Sequence, residues 1–146
     1  MMLSEHFSLA EFEHSQWAAR HNCANKLPEE YYDRTRKLCE QLLEPVREHF
    51  DSPVIISSGY RSDMVNSGVG GAVSSQHMQG EAADIQVLGH TPFEVATWIA
   101  EESERVFDQV ILEYDGWTHL SYTERYQNRG DILTINKDGR FIGLYV

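Results

Sequence analysis

The sequence predicts an α+β domain, a mostly antiparallel sheet with helices packed on one side. Three observations carry this. Helix caps and apolar residues spaced three to four apart dominate the first third. Strand-like alternation dominates the remainder, and one capped crossover helix interrupts the strands. The 146 residues fit a single domain, 1–146, long enough to bury a core. A content of 41% hydrophobic and 11% aromatic residues is that of a folded globular chain.

The elements follow in order. Ser8-Leu9-Ala10-Glu11 is a capping box and opens a short helix. A second helical piece is expected around Gln16 to His21. Pro28, Glu29 and Glu30 suit the first turn of a long helix, because proline tolerates that position and acids favour the N-terminal dipole. Tyr31, Thr35, Leu38, Leu42, Val46 and Phe50 form its apolar stripe, and Pro45 is expected to kink it or split it in two. Pro53 to Ile56 reads as a short buried strand, and glycines 68, 70 and 71 mark a loop. Ala82 to Val87 reads as a strand entered from a glycine turn. Thr91-Pro92-Phe93-Glu94 is a second capping box and opens a helix expected to reach about Val106. Strands Gln109 to Tyr114 and Trp117 to Tyr122 follow. A hairpin closes the chain, Asp131 to Lys137 and Arg140 to Val146, around Asp138-Gly139.

Twelve Lys and Arg against 23 Asp and Glu leave a net charge of −11. With no basic cluster, nucleic-acid binding and electrostatic docking on anionic membranes are both disfavoured. No apolar run approaches the length that inserts into a bilayer. Met1 to His6 lacks the basic and apolar regions of a secretory signal, so cytoplasmic synthesis is expected. Cys23 and Cys39 show no metal-binding grouping and are expected to be reduced thiols.

The chemistry concentrates in Ser75-Gln76-His77-Met78-Gln79-Gly80-Glu81-Ala82-Ala83-Asp84. Strand periodicity turns Asp84 and Gln86 to one face, Ile85 and Val87 to the other. Imidazole and carboxylate are ordinary zinc ligands, and a catalytic zinc keeps three of them plus a water. Downstream, His119 lies two residues after Trp117, with Glu113 six residues upstream. If both segments line the sheet beside Asp84, three ligands and a spare carboxylate converge: zinc to acidify a water, glutamate to take its proton.

Ser-x-His-x6-Asp followed by Glu-x5-His, with tryptophan just before that histidine, resembles the zinc D-alanyl-D-alanine carboxypeptidases. The same zinc site occurs in vancomycin-resistance D,D-dipeptidases and in the hedgehog signalling domain. Ser57-Ser58-Gly59-Tyr60-Arg61-Ser62, Asn66 and Gly70-Gly71 also fit. Leu3 to Ser8 resembles the opening of small single-domain members from phage genomes. The resemblance covers nearly the whole chain and implies a hedgehog/D,D-peptidase-like fold, Zn2+ as cofactor and peptidoglycan peptides as substrate.

On this basis His77, Asp84 and His119 are the expected zinc ligands and Glu113 the expected general base. Many relatives carry an acid three residues before the last ligand. Gly116 stands there in this chain, leaving Glu113 first and Asp115 second. The resemblance places Arg61 as clamp for a substrate carboxylate, since guanidinium matches carboxylate bidentately, and Ser75 as a substrate-binding hydroxyl or a loop brace. Trp117 is expected to pack beside the site and Asn66 to cap or brace the glycine loop. His6, His14, His21, His49 and His90 lack this setting and are expected to bind nothing. The expected activity is a monomeric D-Ala-D-Ala carboxypeptidase acting on the wall once released, as in phage lysis. The alternatives are a cross-link or L-Ala-D-Glu endopeptidase and a non-catalytic zinc-bearing binding or virion module.

Overall fold

The computed structural model describes residues 1–146. Helix α1 (Leu9–Glu13) begins with both halves of its capping box: Glu11 N–H donates to Ser8 Oγ (3.2 Å) and Ser8 N–H to Glu11 Oε1 (2.9 Å). Ser15 caps α2 (Gln16–Arg20). A 3₁₀ turn, Glu29–Tyr31, leads into α3 (Tyr32–Leu38), which continues through a π turn (Cys39–Leu43) into α4 (Glu44–Phe50).

The chain therefore stays helical past Pro45, and the expected kink takes the form of a widened turn in which Glu44 N–H reaches Cys39 O. Proline has no N–H for the carbonyl four residues back. That carbonyl, on Gln41, accepts instead from Arg105 Nε (2.9 Å). Helix α6 (Pro92–Thr97), capped by Thr91, runs on as a π turn (Trp98–Glu102) and stops short of Val106. Ser103 Oγ donates to Ile99 O (2.6 Å), and Glu104 turns left-handed at φ 58°. Helix α5 (Asp63–Gly68) occupies a stretch to which the sequence assigned no element, just before the glycine loop. Its signal was Ser62, whose Oγ accepts from Val65 N–H (3.3 Å).

Six strands form one sheet: β1 (Val54–Ser58), β2 (Ala82–Val87), β3 (Gln109–Glu113), β4 (Trp117–Ser121), β5 (Asp131–Asn136) and β6 (Gly139–Ile142). Their order is β1-β2-β4-β3-β5-β6. All pairs are antiparallel except β3 with β5. A parallel neighbour cannot follow from a hairpin, and the connection from β4 back across the sheet is held by two buried carboxylates. Asp108 accepts from the Arg129 backbone (2.9 Å), Arg129 Nη2 (2.7 Å) and Tyr126 Oη (2.9 Å). Glu81 accepts from Arg125 Nη2 (2.6 Å) and Thr123 Oγ1 (2.8 Å).

One face of the sheet, with Ile56, Ala83, Ile85, Val87, Val110 and Leu120, packs against Leu38, Leu42, Val46, Val95 and Ile99 of the helices. This is the α+β architecture expected. Cys39 lies in that core as a free thiol, pushed up to about 12 by burial, and Cys23 is also free. No helix is long and apolar enough to cross a membrane.

Thr35 Oγ1 ties α3 to the metal segment by donating to Gly80 O (2.8 Å), both residues buried. Thr35→Val leaves that carbonyl without a partner and should lower unfolding free energy by about 1–3 kcal/mol, read from urea denaturation.

Candidate metal centre

The opposite face of the sheet carries the site. Residues directly opposite on paired strands share a face, and the register lines up Ser58, Asp84, His119, Ile111 and Leu133 across five strands. Glu113 and Trp117 face each other one step along. His77 comes from outside the sheet, on a 3₁₀ turn (Gln76–Gln79) that ends at Gly80, φ 71°. That left-handed glycine turns the chain directly into β2.

His77, Asp84 and His119 are all buried, and their ligand atoms lie within 4.8 Å of one another. Asp84 Oδ1 stands 3.3 Å from His77 Nε2 and 2.9 Å from His119 Nδ1. Donors about 2.1 Å from a tetrahedral ion sit roughly 3.4 Å apart, so two nitrogens and an oxygen at this spacing fit Zn2+. His77 donates from Nδ1 to Gly59 O (2.7 Å), which leaves Nε2 bare toward the site. Only glycine fits at 59, because a Cβ there would stand 2.8 Å from the Phe12 backbone. Tyr60 N–H in turn donates to Phe12 O (2.8 Å). Asn25, which carried no signal in the sequence, locks the same segment by bonding Glu13 O, Tyr60 O and Ser62 N–H.

Burial alone would raise the Asp84 carboxyl, but the two imidazoles reverse this and hold it well below the usual carboxylate range. Burial lowers the His77 imidazole against the pull of Asp84, which favours the neutral form a ligand needs. Glu113 is half-buried on the same face, and its carboxyl is raised, first by burial and then by the charge of Asp84. Trp117 lies near enough to favour its ionised form. The indole N–H is nonetheless buried with no acceptor in bonding geometry, so the two make a close contact and no hydrogen bond. Asp115 is exposed in the β3–β4 turn at φ 49° and does not join the group.

Arg61 reaches the site edge: Nε donates to Ser58 Oγ (3.1 Å), Nη1 to Asn66 Oδ1 (3.3 Å), and Nη2 approaches Asp84 Oδ2 (3.5 Å). A cavity of about 210 Å³ lies against it, walled in part by Trp17, Tyr60, Val65 and Val69. Ser75 Oγ accepts from His77 N–H (3.2 Å) and caps the 3₁₀ turn, with its own proton left to donate. Asn66 braces the glycine loop through Nδ2 to Ala72 O (2.9 Å). Among the other histidines, His6 pairs with Glu44, His21 stacks on Trp17, and His49 stacks on Trp98.

An α+β domain with a His-Asp-His centre on an open sheet face and a raised glutamate beside it is built as a metallopeptidase. The family model described as Peptidase M15 matches residues 5–121, and the chain belongs to that family. A 35-residue stretch is 51% identical to the zinc D-Ala-D-Ala carboxypeptidase of Streptomyces albus G. That stretch is 24% of this chain and 14% of the relative.

The purified protein should take up one zinc per chain by elemental analysis, and Asp84→Ala or His119→Ala should abolish stoichiometric binding. Glu113 gives a second expectation. A raised carboxyl makes the folded state hold its proton more readily than the unfolded state. The contribution of Glu113 to stability is therefore fully present at low pH and is lost as pH rises from the ordinary glutamate range through the raised value. Metal-free Glu113→Gln should melt above metal-free wild type near neutral pH. The gap should close at acid pH in a thermal-shift series.

Proposed function

We propose that this protein is a zinc metallopeptidase of peptidoglycan stem peptides and that the bond cleaved is D-Ala-D-Ala, making it a carboxypeptidase. The observation that carries the reading is the convergence of His77, Asp84 and His119 with Glu113 on one sheet face. Zinc at this donor set would lower the pKa of a water and polarise the scissile carbonyl.

The remaining steps fall to the chain's own groups. Glu113, on the same sheet face as the three donors, accepts the water's proton and returns it to the leaving amine. A carboxyl raised by burial is a stronger base than an exposed glutamate, which suits the first half of that transfer. Arg61 takes the terminal carboxylate of the peptide, its charge kept near the ligands by Ser58 and Asn66. Ser75 offers its hydroxyl proton to a substrate carbonyl. The similarity to the Streptomyces enzyme, whose name states that substrate, supports the choice of bond. Release to the wall in phage lysis is the proposed setting, supported by the likeness of Leu3 to Ser8 to small phage-borne members.

Digestion of purified muropeptides by the zinc-loaded protein, read by mass spectrometry, should show loss of one terminal alanine. A split cross-link or stem would move the assignment to an endopeptidase, and no product with zinc bound would overturn it. Glu113→Gln should lower kcat by about 10²–10⁴-fold while zinc content holds. It should also erase the acid limb of the kcat/KM profile, which rises with pH as Glu113 ionises.

A further inference from the structure

Arg61 carries five N–H groups on a planar fork. Three are engaged within the protein, by Ser58 Oγ, Asn66 Oδ1 and Asp84 Oδ2. One N–H on each terminal nitrogen remains, the pair that meets a carboxylate in two parallel hydrogen bonds. Which two remain depends on how the fork is rotated, and the side chain that decides this is Asn66. It is only 4% exposed on α5. Its amide cannot flip, because Nδ2 is committed to Ala72 O (2.9 Å), which turns Oδ1 toward Arg61 Nη1.

Gly71 packs against the same contact. Its N–H donates to Asn66 O (2.9 Å), and a Cβ at 71 would stand 2.1 Å from Asn66 Oδ1 and 2.9 Å from Arg61 Nη1. The backbone at 71 is not left-handed, so glycine is required there by contact with the amide and the guanidinium, and not by its own conformation. The loop from 66 to 72 thus holds the Nη1 end of the Arg61 fork, while Ser58 holds Nε.

We propose that Asn66, seated against Gly71, is a positioning residue that fixes the Arg61 fork with two N–H groups free, and so makes the site select peptides ending in a free carboxylate. This deepens the proposed function and rests on its assignment of Arg61 as the carboxylate clamp. A misrotated guanidinium keeps its charge and loses the bidentate match, so the cost falls on recognition of the chain end and not on the chemistry of the bond.

The test compares an N-acetylated tripeptide ending in D-Ala-D-Ala with its C-terminal amide, on wild type, Asn66→Ala and Gly71→Ala. Wild type should prefer the acid. Both variants should raise KM for the acid by about tenfold, leave kcat for the acid within about twofold, and leave the amide unchanged. The two variants disturb the same Nη1 contact in different ways, one by removing the amide and the other by crowding it, so agreement between them identifies the fork as the common cause. The same acid-to-amide ratio is read as binding, by calorimetry on the Glu113→Gln background, so a protein that cleaves neither peptide still reports on the fork. Equal losses on acid and amide, together with a lowered melting temperature, would mean a structural brace only and overturn the proposal. An unchanged acid preference in both variants would overturn it as well while leaving the proposed function intact. A wild type with no acid preference in either assay would remove the Arg61 assignment and the proposal with it.

Discussion

The Asp84 carboxylate is the constraint on which the site and much of the fold depend. It is 5% exposed, and a carboxylate taken out of water is costly unless opposing charge and hydrogen bonds surround it. Here the compensation comes from three separate stretches of chain: His77 from a 3₁₀ turn, His119 from the next strand, and Arg61 from the segment after β1. Each of those groups needs its own support. His77 is aimed by Gly59 O, and Gly59 can be approached so closely only because it lacks a side chain against Phe12. The first helix thereby serves the metal face without touching it.

Comparison with the other buried acids sets this one apart. Asp108 and Glu81 are as deeply buried, but each is saturated by an arginine and a hydroxyl from the same connecting loop. Nothing is left over at either, and they act as fasteners for the chain's return across the sheet. Around Asp84 the surplus is on the partners: a bare imidazole nitrogen on His77, unused N–H groups on Arg61, and a raised carboxyl close by at Glu113. A chain of net charge −11 thus assigns arginines to its buried acids by the job each acid does.

What could be read in advance was local or motif-borne. The capping boxes at Ser8 and Thr91 stand as expected, because a cap depends on residues three positions apart. The grouping of His77, Asp84 and His119 was legible in the motif, and alternation along β2 placed Asp84 opposite the core face. What escaped depended on distant partners. The fate of Pro45 turns on Arg105, sixty-four residues from Gln41. The parallel pairing of β3 with β5 turns on Asp108 and Glu81 gripping a loop that carries no strand signal. Asn25 looks like any polar loop residue until Tyr60 and Ser62 fold against it. Helix α5 is the exception: its Ser62 cap was local and legible, and the neighbouring glycines masked it.

The strand order also has a consequence for how the chain is made. His119 belongs to β4, which sits between β2 and β3 although it is synthesised after both. The first 118 residues hold two of the three grouped side chains, and the third arrives with the strand that fills the middle of the sheet. The grouping is therefore incomplete until β4 pairs between β2 and β3. The hairpin that emerges afterwards adds no donor, and its arrival covers the exposed flank of β3. Completion of the His-Asp-His grouping and sealing of the sheet edge thus depend on different strands, β4 for the first and β5 for the second.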